Sequence, residues 1–276
     1  MGVLTQAAEA PIASGIVVAG RYRLRSVLGR GGMGTVWLAQ DELMERWVAV
    51  KQVDLGSDWS GKTARRQALA EARAASRVPH PGVVRIHDVV RDDDQPWIVM
   101  EALSGQSLGA AIKEQGPLPI EQVVRIGHCI VDGLDAAHRA GVVHRDVKPG
   151  NVQLCDDGRV VLLDFGVAHV PGGDWRPPPG GFAGSPAFVS PEQLQGGEPL
   201  PASDLFSLGA TLYAAVEGRS PFDRGDLFAT VLAVAEGRMT PFRRAGRLTP
   251  VLEGLLQPKL GRRWTAARTR AALLNL

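Results

Sequence analysis

The chain has 276 residues, 45% of them apolar and 22% charged, the balance of an ordinary globular protein long enough for one large domain or two lobes. Its net charge of +2 is too small to argue for a nucleic-acid or membrane-surface partner. The two cysteines, Cys129 and Cys155, stand in no CxxC pair, which argues against a disulfide framework or a cysteine metal site and makes a reducing, cytoplasmic setting the default.

No apolar run approaches the ~18 residues of a membrane helix. The N-terminus lacks a basic n-region, and Pro11, Ser14 and Gly15 break its apolar run, so a signal peptide is not expected. Gln6 stands where a myristoylation pattern needs Ser or Thr. Residues 1–19 read as a disordered lead-in. From Arg21 the chain reads as strands: RYRLRSVLG alternates, with Tyr22, Leu24, Ser26 and Leu28 on one face, followed by strands at 35–39 and 47–53. A helix is predicted over 62–77, stopped by Pro79 and Pro81, and two strands over 83–90 and 96–101. Residues 102–106 are a short connection. Beyond it, apolar and small residues recur with helical period from Ile120 to His138. Short strands at 151–155 and 159–164 flank the Asp157-Gly158 turn. After residue 190 the chain is helical again, with Leu205, Leu208, Leu212 and Val216 as one stripe.

Four stretches carry chemistry. LGRGGMGTVWLA places Gly29, Gly31 and Gly34 between two strands, whereas the dinucleotide-binding fingerprint needs a helix after it. A strand–glycine loop–strand flap can instead approach phosphates with no Cβ in the way. In AVK, Ala49 and Lys51 share a strand face, the first leaving room for a flat base and the second reaching toward phosphate. Glu71, on the helix that follows, is the carboxylate that could fix Lys51. HRDVKPGN gathers Asp146, Lys148 and Asn151: a carboxylate to orient a hydroxyl, an ammonium to balance phosphate charge, and an amide oxygen for a hard cation. Finally, LLDFGVA sets Asp164 thirteen positions after Asn151, across a hairpin, where the two can share a Mg²⁺ site.

With LGRGGMGTVW, AVK, Glu71, IVMEALSG, HRDVKPGN, DFG, SPEQ and SDLFSLGATLY in this order, the chain from about Tyr22 to Leu274 resembles a eukaryotic-like (Hanks-type) serine/threonine protein kinase of the bacterial group. The resemblance implies an α+β fold of two lobes: a small β-rich N-lobe with one main helix (20–102) and a larger, mainly helical C-lobe (103–276). It implies ATP and Mg²⁺ (or Mn²⁺) as cofactors and protein substrates as partners. Gly29, Gly31 and Gly34 would cover the phosphates, with Val36 and Ala49 against the base. Lys51 would hold the α- and β-phosphates while paired with Glu71. Met100 would stand as gatekeeper, and the backbone of Glu101 and Leu103 would bond adenine. Asp146 would be the catalytic base, Lys148 would contact the γ-phosphate, and Asn151 and Asp164 would hold the metal. Asp204 would anchor the catalytic loop, and Arg263 would pair with Glu192. Relatives can pair through the small lobe, so a homodimer is open, although no patch argues for it. Membrane attachment is expected only if the natural chain continues beyond residue 276.

The segment expected between DFG and SPE (164–192) departs from the family. Residues 165–189 contain no threonine or tyrosine, and Ser185 is their only hydroxyl. Arg145, which in regulated kinases receives a loop phosphate, is retained. Asp174 could supply a fixed charge, and Pro177-Pro178-Pro179 stiffens the backbone. These features predict activation independent of threonine phosphorylation there. The alternative is a nucleotide-binding pseudokinase or scaffold, although no Lys, Asp or metal ligand of the pattern is missing.

Overall fold

A computed structural model describes residues 15–31, 34–53, 72–93, 95–165 and 186–276. The alternating segments of the first hundred residues pair into one antiparallel sheet: β1 (Val17–Val18), β2 (Tyr22–Gly31), β3 (Gly34–Asp41), β4 (Arg46–Gln52), β5 (Ile86–Asp92) and β6 (Gln95–Glu101), in the order β1-β2-β3-β4-β6-β5. Period-two alternation gives the sheet two apolar faces. Tyr22, Leu24, Val48, Val50, Trp97 and Val99 pack together on one. Ala49, Ile98 and Met100 pack with Val84 and Ala72 on the other, the side of the cleft.

Three expectations need correction here. The lead-in does not run to residue 19, because β1 pairs Val17 with Arg23 and Val18 with Tyr22, and Val18 is fully buried. Leu28 does not continue the buried face of β2. Register shifts between Leu24 and Ser26 and between Val27 and Gly29 turn the strand, leaving Leu28 exposed. The strand expected from residue 83 starts at Ile86, while Val83 instead bridges Leu162 in parallel. Of the helix expected over 62–77, residues 72–75 are helical; Glu71 lies outside the described residues.

The second lobe opens with β7 (Gln106–Ser107) and α1 (Leu108–Gln115), a helix that periodicity alone did not indicate. Its signals are at the ends: Ser107 accepts from Ala110 N–H as N-cap, and Gly116 ends it at φ 77°. The long helix α2 (Ile120–Arg139) follows, then β8 (Val152–Leu154) and β9 (Val160–Leu162), which with β7 form a three-stranded sheet. After α3 (Pro191–Leu194) come α4 (Pro201–Glu217), α5 (Leu227–Ala235), α6 (Thr249–Leu255) and α7 (Ala266–Leu274). Helix α4 was expected to bury one stripe, yet every residue from Ser203 to Val216 is buried. It runs through the lobe's core against α2 and α6, and small residues such as Gly209 and Ala210 let its neighbours approach. Among the described residues, no helix is long and apolar enough to cross a membrane. A small sheet lobe and a larger helical lobe joined after β6 are the expected α+β, two-lobed architecture.

Candidate active site

The site is built upward from a buried charge. Asp204, in the first turn of α4, is 1% exposed, and a carboxylate removed from water must be paired. His138 Nε2 lies 2.7 Å from its Oδ2, His144 N–H donates to Oδ2 at 2.8 Å, and Arg145 N–H donates to Oδ1 at 2.7 Å. The loop after α2 is thereby clamped from beneath. Arg145 is held at φ 71°, a conformation costing about 1–3 kcal/mol and stable only where surroundings enforce it. Asp204 enforces it.

The next residue, Asp146, is thereby presented to the cleft. Its Oδ2 accepts from Lys148 Nζ at 2.6 Å and from Asn151 Nδ2 at 2.8 Å, and Asn151 Nδ2 also reaches the Asp146 carbonyl at 2.8 Å. The Asn151 amide nitrogen is thus spent on the loop, so its oxygen is the atom that could ligate a cation. Leu163 N–H donates to the Asn151 carbonyl at 2.9 Å, which ties the two candidate metal-binding segments together. Asp164 stands at φ 54°, a second strained non-glycine backbone. Its Oδ1 lies 2.9 Å from Lys51 Nζ, and Lys51 is only 6% exposed. The partner that fixes Lys51 among the described residues is therefore Asp164, a carboxylate that the sequence suggested only for metal.

Sequence reasoning gave His144 no role of its own. It is fully buried, its Nδ1 accepts from Asp146 N–H at 3.3 Å, and its Nε2 donates to the Leu163 carbonyl at 2.8 Å, a pattern that needs the Nε2–H tautomer. Its ring lies 4.5 Å from that of Phe165. One imidazole thus links the loop bearing Asp146 to the segment bearing Asp164. Its place beside Asp146 in HRD was the available signal.

The apolar part of the cleft joins residues distant in sequence. Val36, Ala49, Met100 and Leu103 share one cluster with Ile98 and Val161. A small pocket reaches from Lys51 and Asp164 past Met100 to Phe165, walled by Val84, Ile86 and Ile98. Glu101 N–H is committed to the Arg85 carbonyl at 2.9 Å, so only its carbonyl could face a base. Gly29 and Gly31 end β2 and Gly34 opens β3 at φ 122°. A Cβ on Gly29 or Gly31 would meet nothing within 4 Å among the described residues, so packing does not demand glycine there. Close approach of a ligand would. Cys155 belongs to the same apolar cluster, and burial pushes its thiol up to about 11, which removes it as a nucleophile near neutral pH.

Below the loop, Glu192 of α3 receives Arg263 Nη1 at 2.6 Å and Nη2 at 3.0 Å, with Ser203 Oγ donating at 2.7 Å. The expected pair is present, and the Arg263 guanidinium also lies 5.0 Å from the Phe206 ring. Gly166, Asp174 and Ser185 lie outside the described residues, as does the segment's proline run.

A sheet lobe over a helical lobe, with lysine, aspartate and asparagine converging at the seam, defines a phosphotransferase-type cleft. The protein kinase domain model matches residues 22–269, and the chain belongs to that family. It is 42% identical over 199 residues to the serine/threonine-protein kinase PknK of Mycobacterium tuberculosis, covering 71% of this chain and 18% of the relative. It is 36% identical over 219 residues to PknL of Mycobacterium bovis, covering 79% and 54%. To PknA of Mycobacterium tuberculosis it is 37% identical over 223 residues, covering 79% and 51%. The chain thus spans 18% of PknK and about half of the other two.

Proposed function

We propose that this chain transfers the γ-phosphate of ATP to serine or threonine hydroxyls of protein substrates, as the names of its relatives suggest for them. One observation carries the reading: Asp146, Lys148 and Asn151 form a single hydrogen-bonded set, bridged through His144 and Leu163 to Asp164 and Lys51.

Both Asp146 contacts use Oδ2, so Oδ1 is the atom available to orient an incoming hydroxyl and take its proton. Lys148 then faces the transferring phosphate, and Lys51 the α- and β-phosphates. The base would rest against Val36, Ala49 and Met100, with polar contacts from the Glu101 carbonyl and the Leu103 backbone. The phosphates would lie under Gly29, Gly31 and Gly34. Asn151 and Asp164 offer two hard oxygen donors, which suits Mg²⁺ or Mn²⁺ completing its shell with phosphate and water. When bound, that ion neutralises charge on the phosphates. Glu71, as an added partner of Lys51, is part of the proposal. Activation proceeds without threonine phosphorylation between DFG and SPE, because residues 165–189 hold no threonine. The kinase unit begins with β1 at Val17 and runs through residue 276, and it works in the cytoplasm on protein substrates, without a nucleic-acid partner; pairing of two copies through the small lobe is compatible with this arrangement.

The experiment is phosphotransfer from Mg-ATP to a generic protein substrate, with phosphosite mapping. The expected result is phosphoserine and phosphothreonine on the substrate and full activity with Ser185 unmodified. A high-occupancy phosphate on Ser185 that activity requires would overturn the activation reading. Nucleotide binding without any transfer would favour the scaffold.

A further inference from the structure

Glu101 closes β6 where the chain passes to the second lobe, and it is held from two directions. Its N–H donates to the Arg85 carbonyl, and its Oε1 accepts from Arg85 N–H, both at 2.9 Å. Its Oε2 accepts from Arg159 Nη1 at 3.1 Å. Arg159 sits at the turn of the β8–β9 hairpin, where Asp157 accepts from its N–H at 2.9 Å and from its Nε at 2.8 Å. The guanidinium is therefore oriented by its own turn before it reaches Glu101, which lowers the entropy lost in the contact.

The open end of the same hairpin carries the candidate metal pair. Strand β8 begins at the residue after Asn151, and β9 ends two residues before Asp164. That open end is bonded to the segment that precedes β5: Leu162 N–H donates to the Gly82 carbonyl and Val84 N–H to the Leu162 carbonyl, both at 2.9 Å. The connection between the lobes, segment 82–85 and the hairpin are thus one hydrogen-bonded unit, with the Glu101 carboxylate at its junction. The strands are only three residues long, so the turn that carries Arg159 lies close to the end that carries Asn151 and Asp164.

We propose that Arg159 is a positioning residue for the metal pair. By gripping Glu101 it holds the hairpin against the interlobe connection, so that Asn151 and Asp164 keep register with the base-binding end of the cleft. The inference rests on the nucleotide and Mg²⁺ site proposed above. Arginine is specified because its fork serves Asp157 and Glu101 at once through Nε and Nη1, which a lysine ammonium does not reproduce.

Calorimetric binding of ADP with and without Mg²⁺, together with melting temperature, tests it. In Arg159→Ala the factor by which Mg²⁺ tightens ADP binding falls about three- to tenfold, while Mg²⁺-free binding moves less than about twofold. Arg159→Lys recovers part of the factor. Glu101→Gln lowers it too, and the double variant is no worse than the weaker single one, because the two act through one contact. A folded Arg159→Ala with the wild-type Mg²⁺ factor overturns the proposal, even if its melting temperature drops, and additive losses do the same. Should Arg159→Ala not fold, an unchanged factor in both Arg159→Lys and Glu101→Gln is the overturning result. If the wild type binds no ADP in either condition, the nucleotide-site reading itself has failed, a result separate from an unchanged factor.

Discussion

At Asp146 the chemistry depends on which atoms are already occupied. Lys148 and Asn151 fix the carboxylate through Oδ2 and hold the side chain in one orientation. Asp146→Asn preserves shape but removes the proposed proton acceptor. It should lower phosphoryl transfer by roughly 10²–10⁴-fold while leaving nucleotide affinity nearly unchanged, as steady-state kinetics and a binding titration would show. Equal transfer by both proteins would eliminate the base assignment. The strained backbones at Arg145 and Asp164 belong to the same scale, since both lie at the candidate site and both are pinned by neighbours. Neither could be read from residue identity, because arginine does not favour positive φ and aspartate, although enriched there among non-glycine residues, adopts it only in a small minority of cases.

Between elements, packing in the helical lobe turns on small residues and one ion pair. A Cβ at Gly254 of α6 would stand 2.3 Å from the Trp264 ring, which is itself stacked under the Arg268 guanidinium. Gly254→Ala should destabilise the protein by about 1–3 kcal/mol through overpacking, measurable by denaturant unfolding. Glu192 and Arg263 join α3 to the segment before α7, with the arginine side chain fully buried and the glutamate 14% exposed. Burial alone would raise the Glu192 pKa, but the bonds from Arg263 and Ser203 outweigh it and hold the carboxyl below its ordinary 4.5. A depressed carboxylate stabilises the fold above its unfolded-state value, and that contribution is lost as pH falls through the folded-state value. Glu192→Ala should therefore cost about 3–5 kcal/mol at neutral pH, because it strands a buried guanidinium. In thermal melts, the deficit relative to wild type should narrow as pH drops below about 4.5. A constant deficit from pH 7 to pH 3 would refute the linkage.

For the whole molecule, the cleft is where two separately packed lobes share a boundary, so a ligand that touches both stabilises the assembly. A non-hydrolysable ATP analogue with Mg²⁺ at about 100 times its dissociation constant should add about 2.7 kcal/mol and raise the melting temperature by several degrees. Asp164→Asn should erase most of the part that requires Mg²⁺. No shift with either protein would count against the nucleotide site. The low net charge of +2 makes non-specific electrostatic binding a poor alternative account of any affinity seen.

Much of the fold was legible because alternation and helical period are local properties. Strands β2 to β4 and helix α2 follow from patterns within about twenty residues, and the site motifs from fixed spacings in HRDVKPGN and LLDFGVA. Helix α1 was not legible from periodicity, since its eight residues bury only Leu108 and Ala111 and its evidence lies in its caps. Leu28 was misassigned because a bulge breaks strict alternation without a separate mark in composition.

By itself, the sequence determined which residues carry charge, oxygen donors and backbone freedom, and in what order along the chain. Those choices are local chemistry, and they define the family. Only the tertiary structure decided which groups meet: Lys51 with Asp164, His144 with Leu163 and Phe165, Asp204 beneath Arg145, and Arg159 with Glu101. Such contacts join segments up to 113 residues apart, from Lys51 to Asp164. The reason is physical: buried charges and strained backbones persist only where distant elements converge to satisfy them, and no spacing within one segment encodes that convergence.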